Sequence, residues 1–572
     1  MEDLKSFARS AISQLKGLEA NRQPLETVWQ HILELVDPAN AFITKKYSAK
    51  KIWREDLYST VALRSLPKFV AALQATVTPP NEQWHRFIPP TRKLKTDQKC
   101  IGYLENLTED LFEMRYRPAA GFNKAIIKVW QSCAKIGVAA MFVDEAKDGS
   151  GSTYQAVNMK DFYPVLYSDG TIKKCFRKLK KEYWELREDL EDKGIDPDKV
   201  IPDSIRLRFE DKPNDKLDLV HVVVKMSRQE ARKEIVELKT TNGEVVKIKR
   251  KYKSYLILNE GEPVVLETGF AFTCPYMFTR YRELDNDIYS DSPSIQGSSD
   301  IQMLQRMRKS VLEAAERAVD PTILAKNDAD LAGISPVPGA TIVGGLSEDG
   351  TPNLKVLDVS GSVKLGTELE DLISKGIEDF YLVPLYMMYY GKGDMTATEI
   401  NQRAMERAMM MSINVFPFEN ELLSPMAARE LDIQRRIGKM PPNMPQELRA
   451  YLDRDEPFYL IQYEGEQHKA QEIIKANGLS STLQAVTVLS QFDPAIARTP
   501  KTYKCLQTLA RANGAPADHF IDEDEYEQEQ QQILQQQQAA QAAAAKAVEL
   551  KTAETAGNMS DKYSNQLNAM SY

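Results

Sequence analysis

The sequence predicts an α+β chain, mainly helical. Three observations carry that reading. Apolar residues recur at helical spacing in the first third, short alternating apolar runs separated by turn residues fill about 138 to 290, and beyond 290 three capping-box spacings mark helix starts.

In the first part, Trp29, Ile32, Leu33 and Val36 form one helical stripe, and Leu63, Leu66, Val70 and Leu73 a second. Both run into proline, at "VDPAN" and "VTPPNEQWHRFIPP", where the missing amide hydrogen and fixed φ stop a helix. Further helices fit "IGYLENLTEDLFEMRYRP" and "FNKAIIKVWQSCAKIG". The strand-like runs are "VAAMFVDE", "STYQAVNM", "FYPVLYSDGTIKKCF", "LDLVHVVVK", "TTNGEVVKIK" and "SYLILNEGEPVVLE". Asp169-Gly170 and Asn242-Gly243 are hairpin signals within them.

After residue 290, Ser299 and Gln302 have capping-box spacing and open a helix with the stripe Leu304, Met307, Val311, Ala315 and Ala318. Thr367 and Glu370 open a second, with Leu369, Leu372, Ile373, Ile377 and Phe380 on one face. Between them lies a stretch rich in glycine and proline, expected as a small β-lobe. Thr396 and Glu399 open a third helix, with a kink expected at Pro417 and an end at Gly438. The acidic "DEDEYEQEQ" and the Gln/Ala-rich run after it have no apolar stripe, so a solvated helix or disordered tail is expected.

The 572 residues are 42% hydrophobic and 27% charged, ordinary values for a soluble globular protein. No apolar run reaches the length of a membrane span, and the N-terminus reads as an amphipathic helix rather than a signal peptide, so an intracellular protein without a membrane partner is expected. Five scattered cysteines without a C-x-x-C pair speak against a disulfide framework and against a zinc site. P-loop, dinucleotide, zincin and nucleophile-elbow motifs are missing, and the five histidines stand apart, so neither a catalytic residue nor a cofactor is assigned. The acidic runs "LDNDIYSD" and "DRDE" keep a metal-dependent nucleic-acid enzyme as an alternative, although solvated turns explain them.

Charge is unevenly placed. Residues 291–395 hold nine Lys and Arg against sixteen Asp and Glu, most of the net −8 of the whole chain. Glu368, Asp371, Glu378 and Asp379 fall on or beside one helix face, opposite the apolar stripe. In a ring of copies that face would form an acidic wall that repels phosphate and lets nucleic acid slide.

The order of helix, Gly/Pro-rich lobe, acidic helix, loop, "MTATEI" and long proline-interrupted helix resembles the portal, or head-to-tail connector, of short-tailed bacteriophages (podovirus type). So do "TPPNEQWHRF", "AVDPTILA" leading to "PGATIVGG", and "ENELLSPMAARELDIQRRIGKMPP". The resemblance implies a non-enzymatic, dodecameric ring at one capsid vertex of the virion, assembled in the host cytoplasm, through which double-stranded DNA is packaged and ejected. Carried onto this chain, it implies a wing at 1–290 and a first stem helix at 291–320. A clip at 321–366, a second stem helix at 367–384 and a channel loop at 385–396 follow. The kinked wing helix takes 397–445, a crown 446–523 and a tail 524–572. Within that loop the expectation is that Tyr389 and Tyr390 brace it, that Gly391 and Gly393 let it move, and that Lys392 offers a phosphate contact, with an exposed loop lysine without a task as the alternative. The implied partners are further copies of the chain, DNA, the terminase large subunit, the tail adaptor, the major capsid and scaffolding proteins, and internal core or ejection proteins. Another structural tail or scaffold component is the remaining alternative.

Overall fold

The computed structural model describes residues 2–45, 57–319 and 416–512 with short breaks. It also describes the strand pieces 323–325 and 354–356, residues near 346–352, residues 360–384, and helical residues within 526–552. The loop residues Tyr389, Tyr390, Gly391, Lys392 and Gly393, and the third capping pair Thr396 and Glu399, lie outside the described residues.

The two N-terminal stripes belong to α1 (Glu2–Val36) and α2 (Val61–Val77). α1 stops where expected, at Asp37-Pro38, and α2 ends before Pro79. After β1 (His85–Ile88) come α3 (Gln98–Tyr116) and α4 (Phe122–Ile136). Asp97 caps α3 by accepting from the Lys99 amide, and Gly137 ends α4 in the left-handed region at φ 80°.

The chain then turns to β structure through β2 (Val138–Glu145), β3 (Ser152–Val157), β4 (Phe162–Leu166) and β5 (Ile172–Glu182). A helical insertion follows: α5 (Tyr183–Asp192), α6 (Pro197–Val200) and α7 (Asp203–Glu210). β6 (Lys216–Lys225), α8 (Arg228–Lys233), β7 (Ile235–Lys239) and β8 (Val245–Lys249) come next. β9 (Tyr252–Leu258), β10 (Val264–Ala271) and β11 (Tyr276–Arg280) complete the part.

An antiparallel sheet has the order β10-β9-β6-β5-β4, and a second the order β11-β2-β3. The β4–β5 turn uses Gly170 at φ 77°, and Asp169 accepts from the Thr171 amide at 2.9 Å. Alternation places Val220 and Val222 of β6 against Ala8, Ala11 and Ile12 of α1. Leu217 and Leu219 face the insertion helices. Arg22 pins α1 to this sheet: its guanidinium donates to the Phe162 carbonyl at 2.6 Å and lies 3.6 Å from the Tyr163 ring.

α9 (Pro293–Gln296) leads to α10 (Ser298–Val319). The short strands β12 (Ile323–Ala325) and β13 (Leu354–Val356) pair antiparallel, the described part of the expected β-lobe. α11 (Ser360–Phe380) returns toward the body. The last part holds a π-helical turn at Glu419–Leu423, α12 (Ser424–Ile437), α13 (Gln446–Asp453), β14 (Leu460–Tyr463), α14 (Glu466–Leu489) and α15 (Thr502–Ala512).

Four expectations need correction. α10 begins at Ser298, so Ser299 lies inside it rather than at the cap, and Gln302 reaches across to His31 at 2.9 Å. α11 begins at Ser360, about two turns before Thr367, and Glu370 is buried against α10. Leu369 and Leu372 are exposed instead of sharing the inward stripe with Ile377. The helix irregularity sits at 419–423, after Pro417 and ahead of Pro425. Pro425 has no amide hydrogen for the Glu421 carbonyl, and the wider turn moves that carbonyl away from its ring.

The boundary drawn at 445/446 does not coincide with a break in packing either. β14 pairs antiparallel with β1, and Leu448 and Phe458 share a core with Leu104, Leu107 and Leu111 of α3. The largest core joins α2, α4, the β2–β3–β11 sheet, the base of the α10–α11 pair and the segment from Phe418 to Ile433.

Candidate functional site: a helix pair leaving the core

Local chemistry fixes the point where the pair leaves the body. Ser292 caps α9 by accepting from the Ile295 amide at 3.0 Å, while its hydroxyl donates to the Lys135 carbonyl at 2.9 Å. Ser294 donates to the Ala134 carbonyl at 2.8 Å and meets the Tyr381 hydroxyl at 2.7 Å. The end of α4, the start of the first helix and the end of the second are therefore tied at one place. Gly137 makes this possible, since a Cβ there would come within 2.3 Å of the Asp291 carbonyl oxygen.

Ile301 and Leu304 of α10, and Ile377 with Tyr381 and Val383 at the end of α11, are buried in the main core. Gln305 adds a polar tie by accepting from the Tyr58 and Ser59 amides at 2.8 Å each. Farther out, α10 and α11 pack on each other. A Cβ on Gly366 would lie 2.5 Å from Val311 Cγ2, so glycine sets the close approach. Arg308 of α10 donates to Glu370 of α11 at 2.5 Å, with Glu370 only 5% exposed.

Around this inner face the outer surface is divided. Glu368, Asp371 and Asp379 are exposed and Glu378 is part-exposed, with Lys68 of α2 at 3.9 Å from Glu378. The structure thus keeps these four carboxylates off the packed face. Leu372 (66% exposed) borders them, Leu369 (43%) lies farther round the flank, and the exposed Lys375 is, among the described residues, the one cation on the acidic face. On α10, Met303 and Leu312 are also exposed. The outer surface of these core-rooted helices is therefore both acidic and apolar.

The sequence reasoning missed a buried set of charges that braces the base of this arrangement. Arg115 of α3 meets Glu430 of α12 in a two-pronged ion pair, Nε–Oε1 at 3.0 Å and Nη2–Oε2 at 2.6 Å, with both side chains fully buried. Tyr154 of β3 donates to the same carboxylate, and the guanidinium lies over the Trp84 and Phe112 rings at 4.7 and 4.9 Å. His85 Nε2 is 3.2 Å from Arg115 Nη2. Burial, then the Arg115 charge, holds the His85 pKa well below the usual histidine range.

Nearby, Glu421 accepts from the Arg280 amide at 2.8 Å and from its guanidinium, and Arg429 donates to Asp144 at 3.0 Å. Arg436 pairs with Glu145 at 3.0 Å. Charged residues within "ENELLSPMAARELDIQRRIG" are thus the inward contacts of this helix, not its solvated face. Glu421, Arg429, Glu430 and Arg436 each find a partner on an element far away in sequence. Glu419, in the π-helical turn, is raised to about 7 by burial.

Among the described residues, one group has ligand atoms close enough for a metal: Asp97, Cys100 and Glu447. Asp97 is already the α3 cap, and the Cys100 thiol donates to its carboxylate at 3.2 Å, with burial pushing the thiol pKa up to about 12. A protonated thiol is a poor metal ligand. Asp287, in the acidic turn weighed for metal chemistry, is exposed and accepts from the Tyr289 amide at 3.0 Å. No helix among the described residues is long and apolar enough to cross a membrane.

A stretch of 193 residues is 28% identical to a probable portal protein of Bordetella phage BPP-1, covering 32% of each chain, so the match spans about a third of that relative's length. The family model for bacteriophage head to tail connecting protein matches residues 8–521. That family is a structural one whose members are parts of the phage particle, and the chain belongs to the bacteriophage head-to-tail connecting protein family.

Proposed function

We propose that twelve copies of the chain form a ring at one capsid vertex, with the α10–α11 pairs side by side around an axial channel. The observation that carries this is the divided outer surface of α11. Glu368, Asp371, Glu378 and Asp379 would face the channel, while Leu369 and Leu372 are available for contact with neighbouring copies. Carboxylates repeated around a ring repel duplex phosphates over about a Debye length, roughly 8–10 Å at physiological salt. DNA then passes in and out without being held by the wall.

In this reading residues 321–366 form the clip, which receives the terminase large subunit during packaging and the tail adaptor afterwards. The wing meets the major capsid and scaffolding proteins, and the helices after β14 face the interior and any core or ejection proteins. The loop at 385–396 touches the passing duplex, with Lys392 as a releasable phosphate contact and Gly391 and Gly393 as its pivots. ATP hydrolysis belongs to the terminase, and the ring contributes geometry and field.

Electron microscopy of the purified full-length chain tests the proposal. Closed rings with an axial channel wide enough for duplex DNA are expected. Compact particles without a channel, at every concentration and salt condition, would overturn it.

A further inference from the structure

We infer that the end of the five-stranded sheet opposite in charge to the stem is a binding surface for the phosphate backbone of duplex DNA, separate from the channel. Residues 225–253 carry ten Lys and Arg against four Asp and Glu, in a chain whose net charge is −8. The fold gathers much of this charge at one end of the sheet. β6 ends at Lys225, which pairs with Tyr252 at the start of β9, and the neighbouring Val224 pairs with Lys174 of β5. α8 follows directly, fixed by a capping box between Ser227 and Glu230.

Lys173 and Lys225 both stand over the ring of Tyr167, at 5.7 and 5.0 Å, and Arg250 stands over Phe270 at 4.6 Å. Arg228, Arg232 and Lys233 of α8 are exposed. The nearby acids have other tasks. Asp169 holds Thr171, Glu230 caps α8 and lies 3.9 Å from Lys253, and Glu234 lies 3.7 Å from Arg250.

The partner follows from what faces outward. Tyr167 and Phe270 are exposed rings roofed by cations, so this end presents positive charge rather than the apolar centre of a protein interface. Cations on adjacent strands, about 4.8 Å apart, track a row of phosphates without reading bases. An acidic stem and a basic sheet end give one chain two opposite responses to the same polyanion.

The test is binding of a fluorescent 30-base-pair duplex to the full-length protein across a salt series. Steeply salt-dependent binding is expected, with log K falling by about 0.9 per phosphate contact against log salt. Replacing Lys173, Lys225, Arg228 and Arg232 together by Glu is expected to weaken binding roughly tenfold or more at low salt and flatten the slope. The milder pair Arg228→Gln and Arg232→Gln, on the exposed helix alone, should shift both in the same direction if the larger variant misfolds. Unchanged binding in the folded variants overturns the inference, as does loss of binding in Lys392→Ala alone. So does capture of poly-glutamate, but not DNA, through these four residues, which would assign the surface to an acidic protein.

Discussion

The base of the molecule and the helix pair that leaves it treat charge in opposite ways. At the base, Arg115, Glu430, Arg280 and Glu421 find their counter-charges inside one chain. On α11, Glu368, Asp371 and Asp379 face solvent beside an exposed Leu372. The first pattern holds a single subunit in one shape. In the proposed ring the second is completed by a neighbouring copy that covers the exposed leucine. In that proposed ring, stability is concentrated at one end and assembly at the other, so substitutions at the two ends should have separable effects.

The largest expected effect on the fold is at the buried pair. Glu430→Ala leaves the Arg115 guanidinium buried without its carboxylate, which costs about 3–5 kcal/mol. Thermal unfolding of the purified chain, followed by circular dichroism, should show a marked drop in Tm. The double variant Arg115→Met with Glu430→Leu should recover most of it, since no charge is then left unpaired. Equal losses in the single and double variants would mean that packing, not charge, is what the pair supplies.

Gly137→Ala comes next. The residue has φ 80°, and the new Cβ would lie 2.3 Å from the Asp291 carbonyl oxygen. A left-handed conformation alone costs an alanine about 1–2 kcal/mol, and the backbone clash adds to it. Because this glycine seats α10 on α4, unfolding should start lower in temperature and the base of the helix pair should lose amide-exchange protection. A variant as stable as the parent would show that the seat can shift without cost.

A smaller, pH-dependent effect is expected at Glu419, whose pKa burial raises to about 7 from an ordinary 4.5. The folded chain binds this proton more tightly than the unfolded one, so the contribution favours folding at low pH and is lost as pH rises from about 4.5 to 7. Glu419→Gln should stabilise the chain above pH 7 by about 1 kcal/mol, a figure reduced because the side chain is part-exposed to water. Below pH 4.5 the parent and variant should unfold alike, and urea titrations at the two pH values measure the difference.

Local order was legible in the sequence and distant pairing was not. The run "VAAMFVDE" is β2 residue for residue, and the turn at Asp169-Gly170 has the chemistry its residues announced. Gly438 ends α12 at φ 78°, as a C-terminal glycine should. These signals are written in neighbouring residues. By contrast, "WHRFIPP" reads as a helix stop, and only a strand near residue 460 turns its centre into β1. Ser299 and Thr367 have capping-box spacing, but spacing alone does not say where a helix begins, and both helices begin earlier. The inward face of α12 was hidden for a related reason. Arg and Glu at helical spacing suggest a solvated surface, and their partners on α3, β2 and β11 are brought near only by the fold.

The smallest effect on the fold should be the most informative about function. Leu369→Ser and Leu372→Ser remove side chains that are already exposed, so the stability of a single subunit should change by no more than about 0.5 kcal/mol. If these leucines are covered by a neighbouring copy, each loses about 1.5–3 kcal/mol of burial per contact. A closed ring repeats that loss at every interface. Sedimentation velocity of the double variant should then show subunits and short arcs where the parent forms rings, with unchanged far-ultraviolet circular dichroism. Replacing Glu368 and Asp371 by Gln should leave the rings intact and alter only how DNA moves through them, which places apolar and acidic residues of one helix in different tasks. Rings that persist in the leucine variant would move the subunit contact elsewhere on the pair, to the side of α10 that exposes Met303 and Leu312.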